Sequence, residues 1–113
     1  MKIQQKQLRW LGDSLEVVKT FSDEAKRSVG HQLGLVQSGI EPSDWKAMET
    51  VGPGVREIRI RFENAYRVIY VAKFGEAVYV LHAFVKKTQK TSKQDIDLSA
   101  QRYKTLRKAR NSA

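Results

Sequence analysis

The chain has 113 residues, 41% hydrophobic and 29% charged, enough apolar material for one packed core and too much for wholesale disorder. It has no cysteine and two histidines, which excludes disulfides, thiolate zinc sites, a cysteine nucleophile and a histidine-rich metal centre. The net charge of +9 is uneven: residues 1–85 carry 12 basic and 10 acidic side chains, whereas residues 86–113 carry 9 and 2.

A chain of this length is expected to form one domain spanning 1–113. Residues 1–7 are polar and lack the apolar centre of a signal peptide, and runs such as 68–72 are strand-sized, far short of a membrane span. A cytoplasmic protein is expected. Its basic C-terminal end would attract a polyanion through the phosphate backbone, regardless of sequence. A lysine-rich tail that only keeps the protein soluble is the plainer alternative.

Gln7-Leu8-Arg9-Trp10 reads as a short first strand. Asp13 followed by Glu16 resembles a capping box, opening a short helix with Leu15, Val17, Val18 and Phe21 as apolar positions. Ser22 is placed to cap a second helix, and Asp23 and Glu24 suit the positive end of its dipole. Ala25, Val29, Leu33 and Val36 form its core stripe, and Ser38-Gly39 ends it, completing a helical hairpin. Residues 40–54 carry turn and loop signals, including Gly52-Pro53-Gly54. The period then changes to two: Ile58, Ile60 and Phe62 share one face of a strand over 55–62, and Glu57, Arg59 and Arg61 the other. A hairpin loop at 63–65, a strand over 66–73, a turn at 74–76 and a strand over 77–85 complete a meander. Residues 88–91 form a polar loop, after which Thr91 or Ser92 caps a last helix with Ile96, Ala100, Tyr103 and Leu106 on its apolar side. The order β-α-α-β-β-β-α predicts an α+β fold, with the N-terminal strand and helical hairpin packed on an antiparallel sheet and a C-terminal helix. Such a sheet leaves a cationic face open to a single strand of RNA.

Cleaving RNA without a metal requires deprotonating a 2′-hydroxyl, surrounding the five-coordinate phosphorus with cations and protonating the leaving 5′-oxygen. Electrostatic stabilisation is the largest of these contributions. Arginine suits it because its planar fork meets phosphate oxygens in pairs, and lysine or histidine can move the protons. The sequence offers no clustered carboxylates for two-metal chemistry. The available groups are Arg59, Arg61, Arg67, His82, Lys86 and Lys87. Arg59 and Arg61 share a strand face, a cation row or an ordinary solvated surface. Arg67 sits in an apolar strand and needs either a function or an ion pair with Glu57 or Glu63. His82 falls in step with Val78, Val80, Phe84 and Lys86 along one face, as a hydrogen-bonded half-core residue or a catalyst. Trp10 reads as a packing residue, while Trp45 in its loop stays open as packing or base-stacking.

The motifs Glu57-Ile58-Arg59, Tyr66-Arg67-Val68-Ile69-Tyr70 and Leu81-His82-Ala83-Phe84-Val85-Lys86-Lys87, with the opening Trp10-Leu11-Gly12, resemble the RelE/ParE toxin superfamily. More narrowly the chain is similar to its HigB-type branch related to phage Gp49 proteins. The resemblance implies a type II toxin that cleaves mRNA, usually on the ribosome, uses no cofactor, and is silenced by a cognate antitoxin, expected to be a helix-turn-helix protein. By position it implies that Arg67 contacts the scissile phosphate, that Arg59 and Arg61 are the basic residues of the first meander strand, and that Lys86 or Lys87 is the basic residue ending the last. The tyrosine that such toxins often carry soon after that strand has no counterpart between Thr88 and Ser99, and Tyr103 lies well into the last helix. The acid and base therefore stay unassigned, with His82 the substitute to test first. The expected catalytic set is Arg67, His82, Lys86 and Lys87, and the expected RNA contacts are Arg59, Arg61, Lys90 and Lys93. Two other functions fit the same chain: a ParE-like poison of DNA gyrase, or a basic RNA- or DNA-binding module without activity.

Overall fold

The structure, a computed structural model, describes residues 5–112, so residues 1–4 of the polar opening lie outside the described residues. The elements are β1 (Gln7–Trp10), α1 (Ser14–Lys19), α2 (Asp23–Gln37), β2 (Trp45–Ala47), β3 (Val55–Phe62), β4 (Asn64–Val71), β5 (Ala77–Lys86) and α3 (Lys93–Asn111). The five strands form one sheet in the order β1-β5-β4-β3-β2. Strands β2 to β5 pair antiparallel, and β1 joins the edge of β5 in parallel. This is the expected α+β arrangement, on a mixed rather than purely antiparallel sheet. No helix among the described residues is long and apolar enough to cross a membrane.

The helices begin and end where local chemistry permits. The Ser22 hydroxyl accepts from the Ala25 amide at 3.2 Å to cap α2. Gly39, at φ +79°, takes the left-handed conformation just beyond that helix. In the same way the Ser92 hydroxyl accepts from the Asp95 amide at 3.1 Å to cap α3. The capping box expected at Asp13 does not form. Asp13 makes no cap hydrogen bond and instead accepts from Arg102 Nη2 of α3 at 2.7 Å, because a full guanidinium charge outbids a single amide.

Two apolar clusters sandwich the sheet. On one face Ile58, Ile60, Tyr66, Val68, Tyr70, Val78 and Val80 meet Val18 and Phe21 and the α2 stripe of Ala25, Val29, Leu33 and Val36. On the other face Ile69, Val71, Tyr79, Leu81 and Phe84 meet Tyr103 and Leu106 of α3. A Cβ on Gly52 would fall 2.3 Å from the Tyr103 ring, so α3 can dock only against a residue without one.

Three features depart from the sequence reading. Trp45–Ala47, inside the expected loop, forms β2 by pairing with Arg56–Ile58; three residues are too few to show a period. The hairpin at 63–65 is tighter than expected: Phe62 pairs with Asn64, and Glu63 alone turns the chain at φ +58°. Phe62, expected to pack with Ile58 and Ile60, is 42% exposed at that tip. Finally, the pairing of β4 with β5 slips between Ile69 and Tyr70, where Tyr70 faces Val80 but Ile69 faces His82. The extra residue, Leu81, is a β-bulge. It moves His82, Phe84 and Lys86 to the face opposite Val78 and Val80, correcting the single face on which the sequence placed all five.

Candidate active site

The face that receives α3 is only partly covered. Toward the ends of β3, β4 and β5 it opens into a hollow of about 590 Å³ lined by Arg59, Arg61, Ala65, Arg67, Lys86, Lys87, Thr88 and Gln89. The register explains the hollow. Arg59 lies directly opposite Arg67, and Ala65 lies between Arg61 on one side and Lys86 on the other. The small Ala65 side chain leaves a floor with a cation at either hand. Like charges directly opposite one another on a sheet are destabilising, so the Arg59–Arg67 pairing works against the fold and calls for an anion.

Several cations elsewhere are matched by carboxylates: Arg56 with Glu41 and Arg110 with Glu76 at 3.3 Å, and Arg102 with Asp13 at 2.7 Å. Of the five that line the hollow, only Arg67 has an ion-pair partner among the described residues, Glu57, at 3.6 Å from Arg67 Nε to Oε1. Arg67 Nη1 donates to the Tyr66 carbonyl at 2.9 Å. The Nε atoms of both Arg59 and Arg67 are buried without a hydrogen-bond partner. Buried donors left unpaired in this way cost stability.

The crowding also acts on proton affinity. Burial pulls the pKa of Lys86 down from the ordinary lysine value, Arg67 and Arg59 push it the same way, and Glu57 opposes them. Burial is likewise the main cause lowering that of Arg67, opposed by Glu57 and assisted by Arg59 and Arg61. A guanidinium stays charged through such a shift, whereas an amine moves toward exchanging its proton.

The structure thus brings together Arg59, Arg61, Arg67, Lys86 and Lys87, and leaves three other expected residues outside. His82 is only 6% exposed; its Nε2 meets Asp95 Oδ1 at 2.7 Å and its ring stacks on Phe84. Asp95 also accepts from the Ser92 hydroxyl at 2.6 Å, so the imidazole latches the start of α3 to β5 and does not line the hollow. Lys90 is exposed in the loop before α3, and Lys93 reaches Asp97 at 2.8 Å. Trp45 stacks against Arg56, whose guanidinium carbon is 3.8 Å from the ring centroid, and it too is absent from the lining. Sequence reasoning missed Ala65, Thr88 and Gln89 in the lining, and Thr91, whose hydroxyl donates to Glu57 Oε2 at 2.7 Å. The paired threonines of Lys87-Thr88-Gln89-Lys90-Thr91 were its only signal.

A helical hairpin on one face of a five-stranded sheet, a C-terminal helix on the other and a cationic hollow beside that helix define a RelE-like toxin fold. The family model described as phage derived protein Gp49-like (DUF891) matches residues 16–104, and the chain belongs to that family, a RelE/HigB-like toxin branch. It is a toxin-like protein of the toxin–antitoxin type, which implies an antitoxin partner. A search of curated proteins finds no match.

Proposed function

We propose that the protein is an endoribonuclease toxin that cuts mRNA on the ribosome through attack of a 2′-hydroxyl on the adjacent phosphate, without a metal. The observation that carries this reading is the hollow itself: five cations and no carboxylate line a space open on one side. A binding site for a protein has no need to set Arg59 against Arg67, whereas a phosphorane bearing extra negative charge does. Arg67 and Arg59 supply guanidinium charge to the non-bridging oxygens. Arg61 and Lys87, at the rim, hold the neighbouring phosphates.

Lys86 is the group fitted to move a proton. It adjoins Arg67, and its lowered pKa brings it closer to working pH than an ordinary lysine. His82, held by Asp95, serves the docking of α3 instead. The antitoxin silences the toxin by offering carboxylates to the same cations or by blocking its approach to the message.

Inducing the chain in a bacterium and mapping transcript 5′ ends tests the proposal. New ends that vanish with Arg67→Ala, in a variant that still folds, are expected. Growth arrest without new ends, or with supercoiling lost in a gyrase assay, would assign the toxin to another target. Products bearing a 5′-phosphate rather than a 5′-hydroxyl would overturn the metal-free step.

A further inference from the structure

Resting on that reading of the site, we infer that Glu57 is a positioning residue: with Thr91 it forms a clamp that sets the orientation of Arg67 and the place of the loop beside the hollow.

Glu57 stands out because an acid is the least expected residue to bury in this sheet. Its side chain is 1% exposed, in the row behind Arg59 and Arg61, where a solvated carboxylate would normally end. Burying a carboxylate is expensive unless it is paired and hydrogen-bonded. Both needs are met from separate directions. Oε1 faces Arg67 Nε at 3.6 Å, and Oε2 accepts from the Thr91 hydroxyl at 2.7 Å. Thr91 comes from the loop after β5, 34 residues away in sequence, and that loop supplies Thr88 and Gln89 to the lining.

The separation of 3.6 Å is an ion pair rather than a hydrogen bond, and Arg67 Nε has no hydrogen-bond partner. The carboxylate therefore restrains the guanidinium without using its donors. With Nη1 on the Tyr66 carbonyl, the head group is fixed at one edge, and Nη2 has no protein partner among the described residues. Glu57 also opposes the repulsion that Arg67 suffers from Arg59 and Arg61. The same carboxylate ties the loop to β3, so loop and arginine are set by one side chain.

Glu57→Gln tests the clamp, because it keeps the shape and removes the charge. A purely structural acid would lose RNA affinity and rate together. A positioning acid predicts a split: affinity for an uncleavable 2′-deoxy-substituted strand is unchanged or tighter, since the site gains a net positive charge. The cleavage rate on saturating ribosome-bound message falls roughly 10- to 100-fold, as expected for a misaligned catalytic group. Thr91→Val should shift the rate the same way, and Thr91→Ser should restore it. Wild-type cleavage by Glu57→Gln, or a parallel loss of affinity and rate, overturns the inference; if that variant does not fold, Thr91→Val decides by the same criteria. Should the wild-type protein cut no RNA, the proposed function falls while the clamp is still read from the Arg67 Nε–H resonance. Protection from exchange that Glu57→Gln removes supports the clamp, and equal exchange in the two proteins rejects it.

Discussion

Replacing Lys86 by methionine separates the cost of gathering cations from their use. The methionine keeps the unbranched stem at the end of β5 and deletes a charge that Arg67, Arg59 and Lys46 repel. The folded state holds the Lys86 proton less tightly than the unfolded chain does, so this ionisation opposes folding at neutral pH. The penalty is relieved as pH rises through the depressed pKa toward that of the unfolded chain, giving the wild-type protein a small alkaline gain in stability. Lys86→Met should show a melting temperature at neutral pH equal to or above wild type, and no such alkaline gain. Cleavage should fall by about 10²- to 10⁴-fold, the usual contribution of one proton-transfer group and worth roughly 3–5 kcal/mol of barrier. Lys86→Arg keeps the cation but cannot give up its proton near neutrality, so it should not recover the rate. The assays are thermal melts across pH and single-turnover cleavage of ribosome-bound message. A stable Lys86→Met that cuts at the wild-type rate would refute the role, and full recovery in Lys86→Arg would refute proton transfer while leaving the cation.

Four further outcomes follow from the geometry. Ala65→Leu fills the floor between Arg61 and Lys86; filter binding should show RNA affinity lost while circular dichroism stays native. Gly52→Val drives a branched side chain into the Tyr103 ring and should cost about 1–3 kcal/mol or more in urea unfolding; an unchanged midpoint would show that α3 docks differently. His82→Phe keeps the stack on Phe84 and loses the bond to Asp95, which should lower stability by about 1–3 kcal/mol. Its cleavage should keep the pH profile of wild type, and loss of one limb would return His82 to the chemistry. Arg61→Ala should weaken RNA binding for every sequence and lower the slope of log affinity against log salt by about 0.7, the single-strand value for one phosphate contact.

Much of the fold is legible in the sequence because the signals are local. Ser22 caps α2 and Ser92 caps α3 where a hydroxyl precedes an apolar stripe, the change to period two announces β3, and apolar runs between short turns announce β4 and β5. What escapes depends on residues far apart. Asp13 reads as a cap until Arg102, 89 positions away, supplies a stronger donor. The bulge at Leu81 is one unmarked residue, yet it reverses the face on which His82, Phe84 and Lys86 stand. The candidate site divides in the same way. Arg59 and Arg61 announce a cationic face from their spacing alone. That Arg67 lies opposite Arg59, that Ala65 forms the floor, and that Thr91 reaches Glu57 are facts of cross-strand register and loop return. No short window of sequence contains them.

The most direct measurement of the central claim replaces the 2′-hydroxyl on the 5′ side of a mapped cleavage point with hydrogen. If the cationic hollow works by stabilising attack of that hydroxyl on its own phosphate, the modified ribosome-bound message stays intact. The unmodified ribosome-bound message is cut to fragments ending in a cyclic phosphate and a 5′-hydroxyl. Scission of the deoxy-substituted message at the same position, or products bearing a 5′-phosphate, would contradict it.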